Sequence, residues 1–346
     1  MNRFLTVAVM CAVFVIVTAD ELLAEDPVIY RGAINVGLPL GRIVADPTRP
    51  QIYGISVNGE VVFMDRLTMT VEETIATGRV LTDIDIHPSG QTISVLDNIT
   101  GEYWNQPPAT YVLSYDVDTQ SQSDILFAQA SFFQMAWAGN GRIAGVQTNQ
   151  WVSAYLVNAT TGARLSTCGA GYYGNASWAT PNTLVTSHDG SRMFRTDVGI
   201  SSIDVMAFDT SGDTISQIEG RTVGSYALEP VFVNSTDSSL YVGDIRLDPF
   251  DLDTLLGMYP EMIYAATGDD AFAFGTDGIY DPVFGGRLGD MPVQSTMMTI
   301  GENDRFLYAF DTDLQQLHVM EIVPEPVSVL ILAAGTLAYA ARRRRT

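Results

Sequence analysis

Tyr111-Val112-Leu113-Ser114-Tyr115-Asp116-Val117-Asp118-Thr119 sets the fold: an apolar strand ends in Asp, and Thr closes the turn behind it. The phrase returns through the chain. Asp65-Arg66-Leu67-Thr68 follows Val61-Val62-Phe63, and Asn158-Ala159-Thr160-Thr161-Gly162 follows Ala154-Tyr155-Leu156-Val157. Asp209-Thr210-Ser211-Gly212 follows Met206-Ala207-Phe208, and Asp311-Thr312-Asp313 follows Tyr308-Ala309-Phe310. Asp and Asn suit this place because their side chains accept backbone N–H groups of the turn they open, while Gly tolerates the positive φ a turn can require.

A second phrase runs ahead of the first. Ala45-Asp46-Pro47, His87-Pro88-Ser89-Gly90, Ala138-Gly139-Asn140-Gly141, His188-Asp189-Gly190-Ser191, Asn234-Ser235-Thr236-Asp237 and Glu302-Asn303-Asp304 each separate two apolar runs. Helical periodicity is almost absent, and copies recur every ~40 to 50 residues, the period of propeller blades. One four-stranded blade cannot bury both its faces alone, whereas radial stacking gives each sheet two neighbours. The fold class is therefore all-β: a β-propeller of six or seven four-stranded blades over residues 28–323. Seven is preferred, because Met262 to Ala266, Ala271 to Gly275 and Ile279 to Phe284 read as one compressed extra blade. The run Val28 to Val36 precedes the first turn and is expected to close the ring against Leu317 to Ile322. With Tyr241-Val242-Gly243 and Tyr308-Ala309-Phe310, the body resembles YVTN-like or WD-like propellers, although it has no Trp-Asp signature; that resemblance carries over no catalytic residue.

The two ends differ from the body. Arg3, the apolar stretch Phe4 to Val17 and Val17-Thr18-Ala19 read as a signal helix cut after Ala19, with Ala24 as a second cleavage point and residues 20–27 as an acidic linker. Met10 before Cys11 stands where a lipoprotein needs a small residue. At the other end Pro324-Glu325-Pro326 precedes an uncharged run from Val327 to Ala341, then Arg342, Arg343, Arg344 and Arg345. Fifteen helical residues reach about 22 Å, short of the roughly 30 Å hydrocarbon core. Residues 324–346 resemble the PEP-CTERM sorting signal of Gram-negative bacteria. That resemblance implies recognition by exosortase, a short transmembrane helix held in the inner membrane before processing, and a body that is periplasmic, at the cell surface or extracellular.

Between Asp20 and Val323 there are 39 acids against 13 arginines, a net of −26, and the chain has no lysine. Nucleic acid is disfavoured as a partner. Once the signal leaves with Cys11, Cys168 is alone, so no internal disulfide forms; it reads as a small buried residue in a Gly-rich turn.

No HExxH, CxxC, Gly-x-Ser-x-Gly or phosphate-loop phrase occurs. His87 and His188 fall at the same place in the repeat, just before the hairpin, which points to turn chemistry. Asp83 and Asp85 alternate with Ile84 and Ile86, so both carboxylates share one strand face. On an innermost strand they would face the central channel and hold a divalent cation or share a proton; the other reading is a solvated pair at the rim. Asp248, Asp251 and Asp253 superficially resemble a calcium loop but lack its glycine and distant Glu. Tyr103, Trp104, Tyr172, Tyr173 and Trp178 mark loops suited either to stacking on a sugar or protein or to capping the apolar ends of the blades. The Asn-x-Ser/Thr phrases at Asn98, Asn158, Asn175 and Asn234 read as turn chemistry. The expected function is an exported, non-enzymatic binding or structural scaffold without a cofactor, its ligand a polysaccharide or protein. The alternative is a lactonase-like hydrolase with a divalent metal on Asp83 and Asp85.

Overall fold

The computed structural model describes residues 26–97, 110–127, 132–139, 141–146, 153–170, 183–198, 203–224 and 230–323. The chain divides into two units, Tyr30–Glu321 and the two chain ends, residues 1–29 with 322–346. In the second unit the Val323 amide donates to the Pro27 carbonyl at 3.0 Å. The expected signal sequence, its expected cleavage after Ala19, the expected sorting tail and the loops carrying Tyr103, Trp104, Tyr172, Tyr173 and Trp178 lie outside the described residues. Among the described residues no helix is long and apolar enough to cross a membrane.

Tyr30–Glu321 forms seven four-stranded antiparallel sheets. Blades 1 to 6 are each continuous in sequence, and their first strands are Leu40–Ala45, Leu81–Ile86, Gln134–Ala138, Leu184–Thr186, Val231–Val233 and Ile263–Ala266. Blade 7 is built from Met298–Gly301, Phe306–Asp311 and Gln316–Ile322, and its fourth place is taken by Val28–Asn35 from the start of the chain. The expected closure is thus the one found, and the compressed stretch is a complete blade. First strands touch one another in sequence round the ring, with Met298–Gly301 meeting Leu40–Ala45, so they form the hub. Fourth strands lie outermost and are largely exposed, as the pattern eieeeie of Thr70–Ala76 shows.

Strand alternation explains how each blade fills both sides. In blade 1, Tyr53, Ile55, Val61 and Phe63 pack with Ile84, Val95 and Leu113 of blade 2. Their alternates Ile52, Val62 and Met64 pack with Phe306, Tyr308 and Phe310 of blade 7. Both faces are apolar because both are buried, and each large side chain contributes about 1.5–3 kcal/mol. The same device joins blade 3 to blade 4, where Ala144, Val146 and Leu156 meet Met193, Met206 and Phe208.

The first-to-second and third-to-fourth turns of blades 1 to 6 share one face of the ring, here called the turn face. At the end of the third strand Asp65, Asp116, Asn158 and Asp209 accept turn amides from Leu67 and Thr68, Asp118 and Thr119, Thr160 and Thr161, and Ser211. Asp248 and Asp281 do the same in blades 5 and 6, accepting from Phe250 and from Val283 and Phe284. Asp248 is therefore the turn residue of blade 5, while Asp251 and Asp253 lie on the following outer strand, Asp251–Met258. Asp311 makes the same bonds to Asp313 and Leu314, but between the second and third strands, on the opposite face. The expected repeat position is corrected there, because blade 7 has no third-to-fourth turn.

Two further corrections are local. Cys168 lies on the strand Arg164–Gly169 rather than in a turn, packed against the blade 3–4 core, and burial pushes its thiol up to about 11. His87 and His188 are not equivalent. The first turn position pairs with the start of the second strand, and there His87 N bonds Thr92 O as Ser187 N bonds Arg192 O. His188 therefore sits one residue further along.

Arginine ties the blades together at the turn face. Arg49 of blade 1 reaches Asp118 at 2.6 Å, and Arg142 of blade 3 reaches Ser211 O at 2.9 Å. Arg192 of blade 4 reaches Pro249 O at 3.0 Å, and Arg246 of blade 5 reaches Pro282 O at 3.0 Å. Each lands on the third-to-fourth turn of the following blade. A planar fork bonding a carbonyl and a carboxylate at once is a task that suits Arg rather than Lys.

Candidate functional site: the hub cavity

A cavity of about 540 Å³ opens within the hub towards the turn face, lined by the first strands of all seven blades. Most of its wall is apolar, including Ile84, Ile86, Met135, Val233 and Ile300. Trp137, Phe232 and Tyr264 supply aromatic surface, and Asp85, His188 and Asp304 supply titratable groups.

An innermost strand is a sheet edge, so its hub-side N–H groups have no ladder partner. Neighbouring blades supply one. Asp83 accepts Met135 N–H at 2.8 Å and Asp85 accepts Trp137 N–H at 2.8 Å, both across the blade 2–3 boundary. Thr299 Oγ1 accepts Ala45 N–H at 3.3 Å, and the Thr186 hydroxyl donates to Trp137 O at 2.7 Å. The hub is a set of sheet edges closed by side chains.

The alternation of Asp83 and Asp85 does place both carboxylates on one face, since they meet residues two apart on the next strand. Their second oxygens accept the Ile84 and Ile86 amides at 3.0 and 2.9 Å. Asp83 is buried, with the Arg42 guanidinium 3.7 Å away, and Asp85 is the one on the cavity wall. Burial pushes Asp83 up to about 6, opposed by Arg42 and the two amides. Burial likewise pushes Asp85 up to about 7, opposed by the Trp137 amide, with the Asp83 charge adding to the rise.

His188 stands half-exposed at the mouth. Its amide donates to both oxygens of Asp237, and its ring Nδ1 lies 3.6 Å from the same carboxylate. The Asp237 hydrogen bond raises the imidazole above its ordinary value against burial, and the charges of Asp237, Asp304 and Asp85 add to the rise. Asp304 accepts the Ser235 hydroxyl at 2.5 Å and the Gly268 amide at 2.9 Å. His87 bonds Ser89 at 2.8 Å and sets its ring edge-on to Trp137, with centroids 4.6 Å apart. His318 lies on the blade 7 strand Gln316–Ile322 and bonds the Tyr30 hydroxyl at 3.0 Å. Of the two Asn-x-Ser/Thr asparagines in described residues, Asn158 and Asn234 both accept turn amides, as expected of turn chemistry.

Among the described residues Glu219, Asp251 and Asp253, on the outer strands of blades 4 and 5, bring ligand atoms within 4.8 Å of one another. Glu219 accepts the Leu252 amide, and Arg221 donates to the Leu252 and Asp253 carbonyls, which ties the two outer strands together. Neither Asp83 nor Asp85 belongs to that group.

No family model matches the chain. No curated protein matches it either. Solved structures do, with 1401 matching chains. The β-propeller domain of Cps50 (Swd1) from Myceliophteria thermophila is similar with a TM-score of 0.60 at 12% identity, covering 86% of this chain and 100% of that one. At that identity the likeness establishes architecture: the chain is a seven-bladed, four-stranded β-propeller. A ring so widely shared does not select a function, which has to be read from its own hub.

Proposed function

We propose that this chain is an exported propeller, sorted to the cell surface or extracellular matrix through its tail, whose ring acts as a non-enzymatic binding scaffold with the hub cavity as its ligand site. The observation that carries the binding role is the preformed cavity, whose volume lies in the range of small-ligand sites. Its wall strands are fixed to one another by the Asp83, Asp85, Thr186 and Thr299 bonds. Binding to such a wall requires little ordering of the protein. The address rests on the signal sequence, the Pro324-Glu325-Pro326 motif and the arginines from Arg342 to Arg345.

The C-terminal peptide mass of protein recovered from its own cells tests the address. A mature end near Pro324 to Pro326 with the arginines removed supports sorting; an intact tail in the inner-membrane fraction replaces it with a plain anchor. For the rival hydrolase, a divalent ion on Asp83 and Asp85 would have to displace four amide donors and compete with Arg42. Stoichiometric metal in the purified protein, lost in Asp83→Ala or Asp85→Ala, would favour that rival.

A further inference from the structure

We infer that the hub cavity takes a small organic ammonium ion, an aromatic or aliphatic body bearing a permanently positive nitrogen; this deepens the binding reading above and rests on it. The cavity wall offers two carboxylates, Asp85 of blade 2 and Asp304 of blade 7, on either side of blade 1, with Trp137, Phe232 and Tyr264 on the longer arc of blades 3 to 6. Aromatic faces and carboxylates together attract an alkylated ammonium, which gains from the ring quadrupole and from charge while its methyl groups fill apolar space.

The anionic alternative has little to meet it. Among the described residues none that lines the cavity is Arg, and these arginines of the turn face are engaged elsewhere: Arg49 with Asp46 and Asp118, Arg66 with Glu302, Arg192 with Pro249 O. The one cationic candidate among the described lining residues, His188, is held by Asp237. Its imidazole also registers the sign of the field, because the Asp304 and Asp85 charges both favour its protonated form. A body with a net charge of −26 adds a long-range pull on cations. A neutral sugar would want an array of directional donors and acceptors, whereas the Thr186, Thr299 and Ser235 hydroxyls of the wall already bond protein atoms.

The test is calorimetric titration of the full chain near pH 8, at physiological ionic strength so that diffuse attraction is screened. The probes are benzyltrimethylammonium, benzyl alcohol and phenylacetate. The ammonium is expected to bind at least about tenfold more tightly than the alcohol, with phenylacetate weakest. Asp85→Asn combined with Asp304→Asn is expected to remove that advantage, the ammonium binding no more tightly than benzyl alcohol in the same variant, with folding verified by circular dichroism. Equal binding of the three probes, or preference for phenylacetate, would overturn the ammonium inference and leave the cavity as a binding site. No binding of any probe at millimolar concentration would overturn both. An ammonium preference that survives the double substitution would place the cation outside the hub and also overturn the inference. The wild-type probe series alone decides the charge preference if the variant fails to fold.

Discussion

The Asp85 carboxylate, on the first strand of blade 2, accepts the backbone N–H of Trp137, on the first strand of blade 3, at 2.8 Å. Two strands that share no ladder are thereby joined edge to edge. Asp85→Ala strands that amide beside the hub and is expected to cost about 1–3 kcal/mol. Asp83→Ala also removes the carboxylate facing the buried Arg42 guanidinium and is expected to cost more, about 3–5 kcal/mol. Urea midpoints of the two variants check the order; equal or negligible losses would contradict the edge-closing role.

Stability is expected to peak in mild acid. Asp83 and Asp85 hold protons in the folded chain up to about 6 and 7, where an unfolded carboxyl has already lost its own. Stability therefore falls as pH rises through that interval. His188, raised by Asp237, contributes stability that is full below its ordinary value and is lost as pH climbs through the folded one. Asp116, Asp189, Asp209 and Glu321 are held low by turn donors and arginines, so their contribution disappears only when pH drops below the usual carboxylate range. The melting temperature near pH 8 should lie at least about 5 °C below that near pH 5. Asp85→Asn should narrow the gap, and a flat or rising profile would refute the assignment.

Arg246 is buried and bonds Ser239 Oγ at 2.8 Å, Pro282 O at 3.0 Å and Asp270 at 2.7 Å. Three acceptors in different directions require the guanidinium fork. Arg246→Lys is expected to recover less than half of the roughly 3 kcal/mol lost in Arg246→Ala. A double-mutant cycle with Asp270→Asn measures the pair, and coupling near zero would show that the carbonyl contact dominates.

Gly190 has φ +66°, and a Cβ there would lie 1.9 Å from the Gly139 amide, which donates to the Gly190 carbonyl. The first turns of blades 3 and 4 meet with no room for a side chain. Gly190→Ala should cost at least about 2 kcal/mol, from both the left-handed backbone and the close approach. Gly212→Ala, where a Cβ meets open space, is the control.

What the sequence disclosed follows from the range of each interaction. The Asp turns at Asp65, Asp116, Asn158 and Asp209 were legible because their bonds stay within three residues. Asp248 and Asp281 escape the pattern because Asp251 and Phe284 stand three residues on, where Thr68, Thr119 and Thr161 close the other turns, although Pro249 and Pro282 suit the same turn. Asp311 repeats the phrase on the opposite face, because a turn of this kind carries no mark of which end of a blade it caps. Gly90 and Gly190, both at positive φ, hold the signal that would have aligned His87 with Ser187. The alternation of Asp83 and Asp85 showed that they share a face but not what they touch, since each partner amide lies 52 residues away. The hub cavity had no sequence signal, because seven separate strands assemble it.

Blade 7 carries a consequence in time. Tyr30 and His318 meet across a separation of 288 residues, and Arg31 meets Glu321 beside them. While the chain grows, its opening strand has no partner until nearly the last residue of the ring has emerged from the ribosome. Closure is therefore a late step, slowed by the long loop it must form. Until then Gln316–Ile322 offers an unpaired strand edge, the kind of surface that exchanges strands with a second molecule.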